Sequence, residues 1–279
     1  LYNSFMDEEK IEQLGITPIA KDLAAVASIK TADEFFQILG ELESRGASGL
    51  FYSYVSTDNK DSSKNIVYLG QSGLSLPDEA YYREGEYQEV RDAFLLHVEK
   101  IFGLAKLPNG KAAALQLLEI ETQIAACHWD QVKDRDAEAT YNKKSFTELT
   151  SIAPAFNWQL WITASKTPAH VLEQVVVRQP SYFEGLSKLI ESFDTDKWRS
   201  WLTWHIISGA SPYLNKALVD ENFNFYGTTL SGIPKLKERW KRGVGLVEGA
   251  LGEAVGQIYV DRHFGKQAKE RMVGLVANL

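Results

Sequence analysis

Apolar residues recur along most of this chain at steps of three and four, the period of one face of an α-helix. Phe35, Phe36, Leu39 and Leu42 keep that step behind Thr31-Ala-Asp-Glu34. That tetrapeptide is a capping box, in which a hydroxyl and a carboxylate three residues on satisfy the first orphan amides. From Asn109-Gly110 onward, Ala113, Leu117, Ile120, Ile124 and Cys127 form one stripe, with Lys111, Gln116, Glu119 and Gln123 on the other side. The pattern predicts an amphipathic helix of roughly five turns ending near Trp129. Asp194 is placed to cap a helix running through Trp198, Trp201, Leu202, Trp204 and Ile207. Leu236, Trp240, Val244, Val247, Leu251, Val255 and Ile258 mark another long helix, and Gly245, Gly249, Gly252 and Gly256 punctuate it. Small residues at such spacing let a second backbone approach closely, so they predict tight helix packing. A phosphate cradle would need its glycines at a strand-to-helix turn, and no buried strand precedes Lys235.

Strand signals are few. Gly49-Leu-Phe-Tyr-Ser-Tyr-Val55 and Asn65-Ile-Val-Tyr-Leu69 are β-prone runs on either side of the polar stretch Ser56 to Lys64. They predict a hairpin with a long exposed loop. Val175-Val-Val177 is a third short run, stopped by Pro180, and Gln71 to Pro77 reads as loop. The fold class is therefore mainly α, a multi-helix domain with a small β-hairpin element.

Composition narrows the function classes. The 279 residues are 44% hydrophobic and carry 30 basic against 37 acidic side chains, a net charge of −7. That balance lacks the clustered positive charge of a nucleic-acid footprint. No run approaches the ~20 apolar residues of a membrane span. Cys127 is the one cysteine, which excludes an intrachain disulfide. Its place on the apolar stripe predicts a small buried hydrophobe. A cytoplasmic or an exported bacterial setting fits, the lack of disulfides favouring the former. Leu1 to Asp7 has no signal-peptide pattern. The start at Leu1 and an ending inside the helical run Lys269, Met272, Val273, Val276 predict a piece of a longer polypeptide.

Candidate chemistry is sparse. His97, His128, His170, His205 and His263 lie too far apart in sequence for two to share a helix face as metal ligands. Surface or structural roles are expected for all five, and His128, at a helix end, should lean towards the imidazolium through the dipole. Asp58-Asn-Lys-Asp-Ser62 reads as a solvated turn, because it lacks a calcium loop's spacing. Lys133 to Asp136 reads as a salt-bridged helix end, and Trp240-Lys-Arg242 as a buried tryptophan beside two solvated cations. Residue types and spacing alone give no catalytic, cofactor-binding or metal-binding residue.

Several segments together resemble the neprilysin and endothelin-converting-enzyme family of zinc metallopeptidases. Asp58-Asn-Lys-Asp-Ser62, with Gln71-Ser-Gly-Leu-Ser-Leu-Pro-Asp-Glu-Ala-Tyr-Tyr82, is similar to that family's D-x-K-x-S and Q-x-G-L-x-L-P-x-x-x-Y-Y block. Arg135-Asp136 with Tyr141-Asn142 follows, then Val175 to Tyr182, Trp201 to His205 and Pro212-Tyr213-Leu214, in family order. The most specific stretch is Phe223-Asn-Phe-Tyr-Gly-Thr-Thr-Leu-Ser-Gly232, then Arg239-Trp-Lys-Arg242 and Leu251 to Val260. Two positions depart: Phe5 and Gly243 stand where secreted animal members carry cysteine, which suits a disulfide-free bacterial-type member.

The resemblance implies that residues 1–279 are the non-catalytic helical lid at the N-terminus of a zinc metalloendopeptidase. Such a lid encloses the substrate cavity and restricts access by size. The zinc, its His-Glu-x-x-His helix and the downstream Glu are implied beyond Leu279, so no site residue carries over. In the whole enzyme the metal would polarise the scissile carbonyl while a Glu activates water. Implied partners are the C-terminal catalytic domain of the same polypeptide and peptide substrates; the chain by itself is expected to hold no zinc and cleave nothing. The alternative is a free-standing helical interaction module.

Overall fold

The computed structural model describes residues 1–278 and is mainly helical with one small sheet. It divides into two compact units: Leu14–Ile233, and Leu1–Gln13 together with the segment from Pro234 onward.

In chain order, helices α1 (Tyr2–Met6) and α2 (Glu8–Leu14) precede α3 (Thr17–Ala27) and α4 (Ala32–Glu43). Strands β1 (Phe51–Asp58) and β2 (Asp61–Gln71) follow, then α5 (Ala80–Arg83), α6 (Gln88–Leu104), α7 (Gly110–Ala125) and α8 (Gln131–Asp134). Next come β3 (Lys143–Ser145), α9 (Phe146–Ile152), α10 (Trp158–Ser165), β4 (Gln174–Val177), α11 (Pro180–Glu191), α12 (Thr195–Ala210) and α13 (Lys216–Asn222). A π-helical turn spans Phe223–Thr229, and α14 (Arg239–His263) and α15 (Lys266–Ala277) close the chain.

The predicted caps are in place. Asp194 accepts from the amides of Asp196 and Lys197, opening α12. The Thr31 hydroxyl accepts from the Glu34 amide, but the Glu34 carboxylate reaches the Lys30 amide instead of closing the box on Thr31. In α7 the predicted face is buried at Ala113, Leu117, Ile120 and Ile124. The core of the larger unit is aromatic: Phe36 lies 4.5 Å from Phe156, which lies 4.4 Å from Trp158, and Phe35 packs on Trp198 at 5.1 Å.

The sheet has the order β1-β2-β4-β3. β1 and β2 pair antiparallel from Phe51↔Gln71 to Asp58↔Asp61, β2 and β4 pair parallel, and β3 pairs antiparallel on β4. The hairpin corrects the expected long loop. Ser56 to Lys64 is mostly strand, closed by a tight turn at Asn59-Lys60. Its polar sequence hid the strand, because both faces of the distal hairpin meet solvent and alternation has nothing to report.

In the smaller unit α14 breaks at Leu251, whose φ/ψ of −136°/24° is not helical. Trp240 is 49% exposed, so the expected buried tryptophan is not found. The expected tight packing is also absent from the described residues: a Cβ built on Gly245, Gly249, Gly252 or Gly256 meets nothing within 4 Å. Among the described residues no second backbone comes within 4 Å of that stripe.

Candidate functional site

The loop after β2 is tied by hydrogen bonds to distant elements of the larger unit. Gln71 copies a backbone amide: its side-chain nitrogen donates to the Trp129 carbonyl at 2.9 Å, and its oxygen accepts from the Trp129 amide at 2.7 Å. The Gln71 amide itself donates to the buried Gln179 side chain. The Ser72 carbonyl lies 3.0 Å from both His128 Nε2 and the Tyr182 hydroxyl. Gly73 takes φ +91°, a conformation that disfavours any side chain, and its carbonyl accepts from Trp201 Nε1 at 2.9 Å.

One turn on, Glu121 of α7 is wholly buried and gathers donors. Its carboxylate accepts from Ser75 Oγ and the Tyr82 hydroxyl, each at 2.6 Å, and from the Ser75 amide at 3.1 Å; His205 Nε2 lies 3.1 Å away. Trp204 Nε1 donates to Ser75 Oγ. Burial and the adjacent carboxylate push the Tyr82 hydroxyl well above its ordinary pKa. The Q-x-G-L-x-L-P-x-x-x-Y-Y block is thus a polar joint that fastens the sheet to α7, α11 and α12. No substrate-facing nucleophile emerges from it.

Asp58 corrects the expected solvated turn. Only 2% exposed, it accepts from the Tyr141 hydroxyl at 2.6 Å, Lys143 Nζ at 2.9 Å and the Lys60 amide at 2.9 Å. The Tyr141 and Lys143 donors, with that amide, hold its carboxyl far below the usual range. The D-x-K-x-S and Y-N elements are therefore two halves of one clamp on the hairpin tip, 80-odd residues apart in sequence. At that helix end Asp134 pairs with Arg178, from the distant β4–α11 connection, and accepts from Gln179, while Asp136 caps the amides of Glu138 and Ala139.

His97 is buried on α6, its ring stacked on Phe225 of the π turn at 4.7 Å, with Nδ1 3.0 Å from Glu221 Oε1 and no partner for Nε2. Glu221 also pairs with Lys100. Desolvation lowers the pKa of His97 and of His128. For His128 this runs against the expected lean towards the imidazolium, because loss of water outweighs the Ser72 carbonyl and the nearby carboxylates of Glu79 and Asp134. Cys127 is half-buried, not fully buried; burial raises its pKa, and Sγ donates weakly to the Gln123 carbonyl at 3.4 Å.

In the smaller unit Arg239 Nε donates to the Phe5 carbonyl at 2.8 Å and its guanidinium covers the Phe5 ring at 4.6 Å. A Cβ on Gly243 would lie 3.1 Å from Phe5 and 2.9 Å from Tyr2. The two positions at which the resemblance expects cysteine are neighbours, and Phe5 packs on Gly243 there. Among the described residues no three of His, Cys, Asp and Glu converge as metal ligands.

The model for the N-terminal part of peptidase family M13 matches residues 1–279. Human endothelin-converting enzyme 1 is 29% identical over 286 residues, covering 96% of this chain and 36% of the relative. Human membrane metallo-endopeptidase-like 1 is 28% identical, covering 99% and 39%. Among solved structures, the zinc metalloprotease Zmp1 of Mycobacterium tuberculosis in its open state superposes with a TM-score of 0.93 at 41% identity, covering 99% of this chain and 43% of that one. PepO of Lactobacillus rhamnosis, 22% identical with a TM-score of 0.80, shares the fold. The chain spans about two fifths of the length of these relatives.

Proposed function

Because the chain belongs to peptidase family M13, we propose that it is the non-catalytic helical part of a zinc metalloendopeptidase, a lid that encloses the substrate cavity and admits peptides by size. The observation that carries this reading is the match of the whole chain to two fifths of a zinc metalloprotease at TM-score 0.93. The zinc, which would supply Lewis-acid polarisation of the peptide carbonyl, belongs to the remaining three fifths. This chain contributes a rigid wall, its polar joint at Ser75 and Glu121 holding helices and sheet in fixed relation.

The proposed partner is the catalytic domain of the same polypeptide. Trp240, Leu251, Ile258, Tyr259, Val273 and Val276 are exposed along α14 and α15, and the glycines of α14 are open as well. So many exposed apolar side chains on two helices are unusual for a free-standing surface. Co-expression with the catalytic segment of the 41%-identical mycobacterial protease tests the reading. Peptide cleavage should appear in the mixture and in neither half alone, with an interface burying at least ~1,000 Å². Cleavage by the chain alone, or indifference to the catalytic segment, would overturn it.

A further inference from the structure

The buried histidine of α6 has no part in the lid role. His97 is 2% exposed, and aromatic rings enclose it. Phe225 of the π turn lies flat on it at 4.7 Å, Tyr226 meets it edge-on at 5.6 Å, and Trp204 of α12 does so at 5.5 Å. Glu221 of α13 brings Oε1 to 3.0 Å from Nδ1, and its other oxygen pairs with Lys100, one turn along α6. A carboxylate so paired only accepts, so Nδ1 carries the ring proton and Nε2 is bare. Nε2 is buried and has no partner. Burial pushes the Tyr226 hydroxyl up, which keeps it neutral. Of the other helices packed on α6, α7 turns its buried Glu121 to Ser75, Tyr82 and His205, and α5 turns Arg83 to Glu79 and Glu84.

The rings that enclose His97 belong to an unusual element. π-helical turns are rare and often mark functional positions. This one also holds the segment that follows it. The Leu230 amide donates to the Phe225 carbonyl and the Ile233 amide to the Gly227 carbonyl, each at 2.9 Å, and Ser231 Oγ donates to the Tyr226 carbonyl at 2.7 Å. The chain leaves the larger unit at Ile233. We propose that His97 is a proton-operated latch, which locks the π turn onto α6 while neutral and frees Phe223 to Ile233 once Nε2 is protonated. A second ring proton would sit on Nε2, where no acceptor meets it, and Lys100 already shares the Glu221 carboxylate. A buried donor left in that state is costly, and moving the ring into water relieves it. Phe225 and Tyr226 then lose the surface they pack on. Desolvation holds the enclosed ring below its ordinary pKa of 6.5, so the opened form takes the proton first and opening is favoured as pH falls through 6.5. At pH 5 the bias is at most about thirtyfold, the ratio of protonated to neutral ring in water.

The latch does not depend on the lid reading, and the chain alone tests it. Amide exchange is measured at pH 7.5 and at pH 5, and each rate is divided by the intrinsic rate at that pH. Protection of Phe223 to Ile233 should fall by about tenfold on acidification, while the amides of α7 keep theirs. His97→Phe leaves a flat ring against Phe225 and removes the titration, so protection of the turn should become independent of pH. The ring nitrogens of the wild-type chain give a second reading that needs no variant. Their NMR shifts should report Nδ1–H with a bare Nε2 at pH 7.5, and imidazolium only as the turn loses protection. Four results would overturn the proposal: a turn still fully protected at pH 5, an imidazolium inside a closed turn, an equal loss of protection along α7, or a pH response that survives in His97→Phe.

Discussion

Glu43 shows how one buried carboxyl sets a pH response. Its Oε2 accepts from Trp161 Nε1, its Oε1 is buried with no partner, and burial raises its pKa from 4.5 to about 7. The folded chain keeps a proton that the unfolded chain releases above pH 4.5. This contribution to stability is complete below pH 4.5 and is lost as pH rises through 7. At about 1.4 kcal/mol per pKa unit, the loss is about 3–4 kcal/mol. Glu43→Gln should therefore flatten the urea midpoint between pH 5 and pH 8, and an unchanged slope would place the response elsewhere. His97 and His128 act in the opposite sense. Their lowered pKa values mean that the unfolded chain protonates first, so their contribution is present above about pH 6.5 and fades as pH falls below it. Glu121→Ala tests the polar joint. It would leave the Ser75 hydroxyl and amide and the Tyr82 hydroxyl without their acceptor, at a cost of at least about 3 kcal/mol in chemical denaturation.

Elements differ in how far local sequence specifies them. α7 and α12 were legible because burial and capping act within one turn of the residue concerned, and Ile120→Ala on α7 should cost about 2–5 kcal/mol in the same assay. The hairpin was half legible. Its inner strands are apolar, but its tip depends on Tyr141 and Lys143, which no local pattern links to Asp58. The family motifs were visible as strings, yet their roles as a joint and a clamp became visible only when distant residues met. The smaller unit offers a direct test of the cysteine positions. Phe5→Cys with Gly243→Cys should form a disulfide under mild oxidation, because a Cβ at 243 sits 3.1 Å from the present Phe5 ring. Three titratable thiols per chain after oxidation, counting Cys127, would show that the two backbones do not approach closely enough.

The molecule as a whole combines a larger unit with an aromatic core and a saturated polar joint, and a smaller unit whose helices show apolar side chains to solvent. Trp240 and the four open glycines were misread for one reason. Periodicity says that a face will be covered, but not by which chain. The lid account holds that the cover is the catalytic part of a longer polypeptide. Amide hydrogen exchange over α14 and α15, with and without the mycobacterial catalytic segment, measures this most directly. Exchange should be fast in the chain alone and slow by at least tenfold once the segment is added, with the amides of α7 and α12 unchanged. Protection of α14 and α15 that is already full in the isolated chain, and indifferent to the segment, would contradict the account.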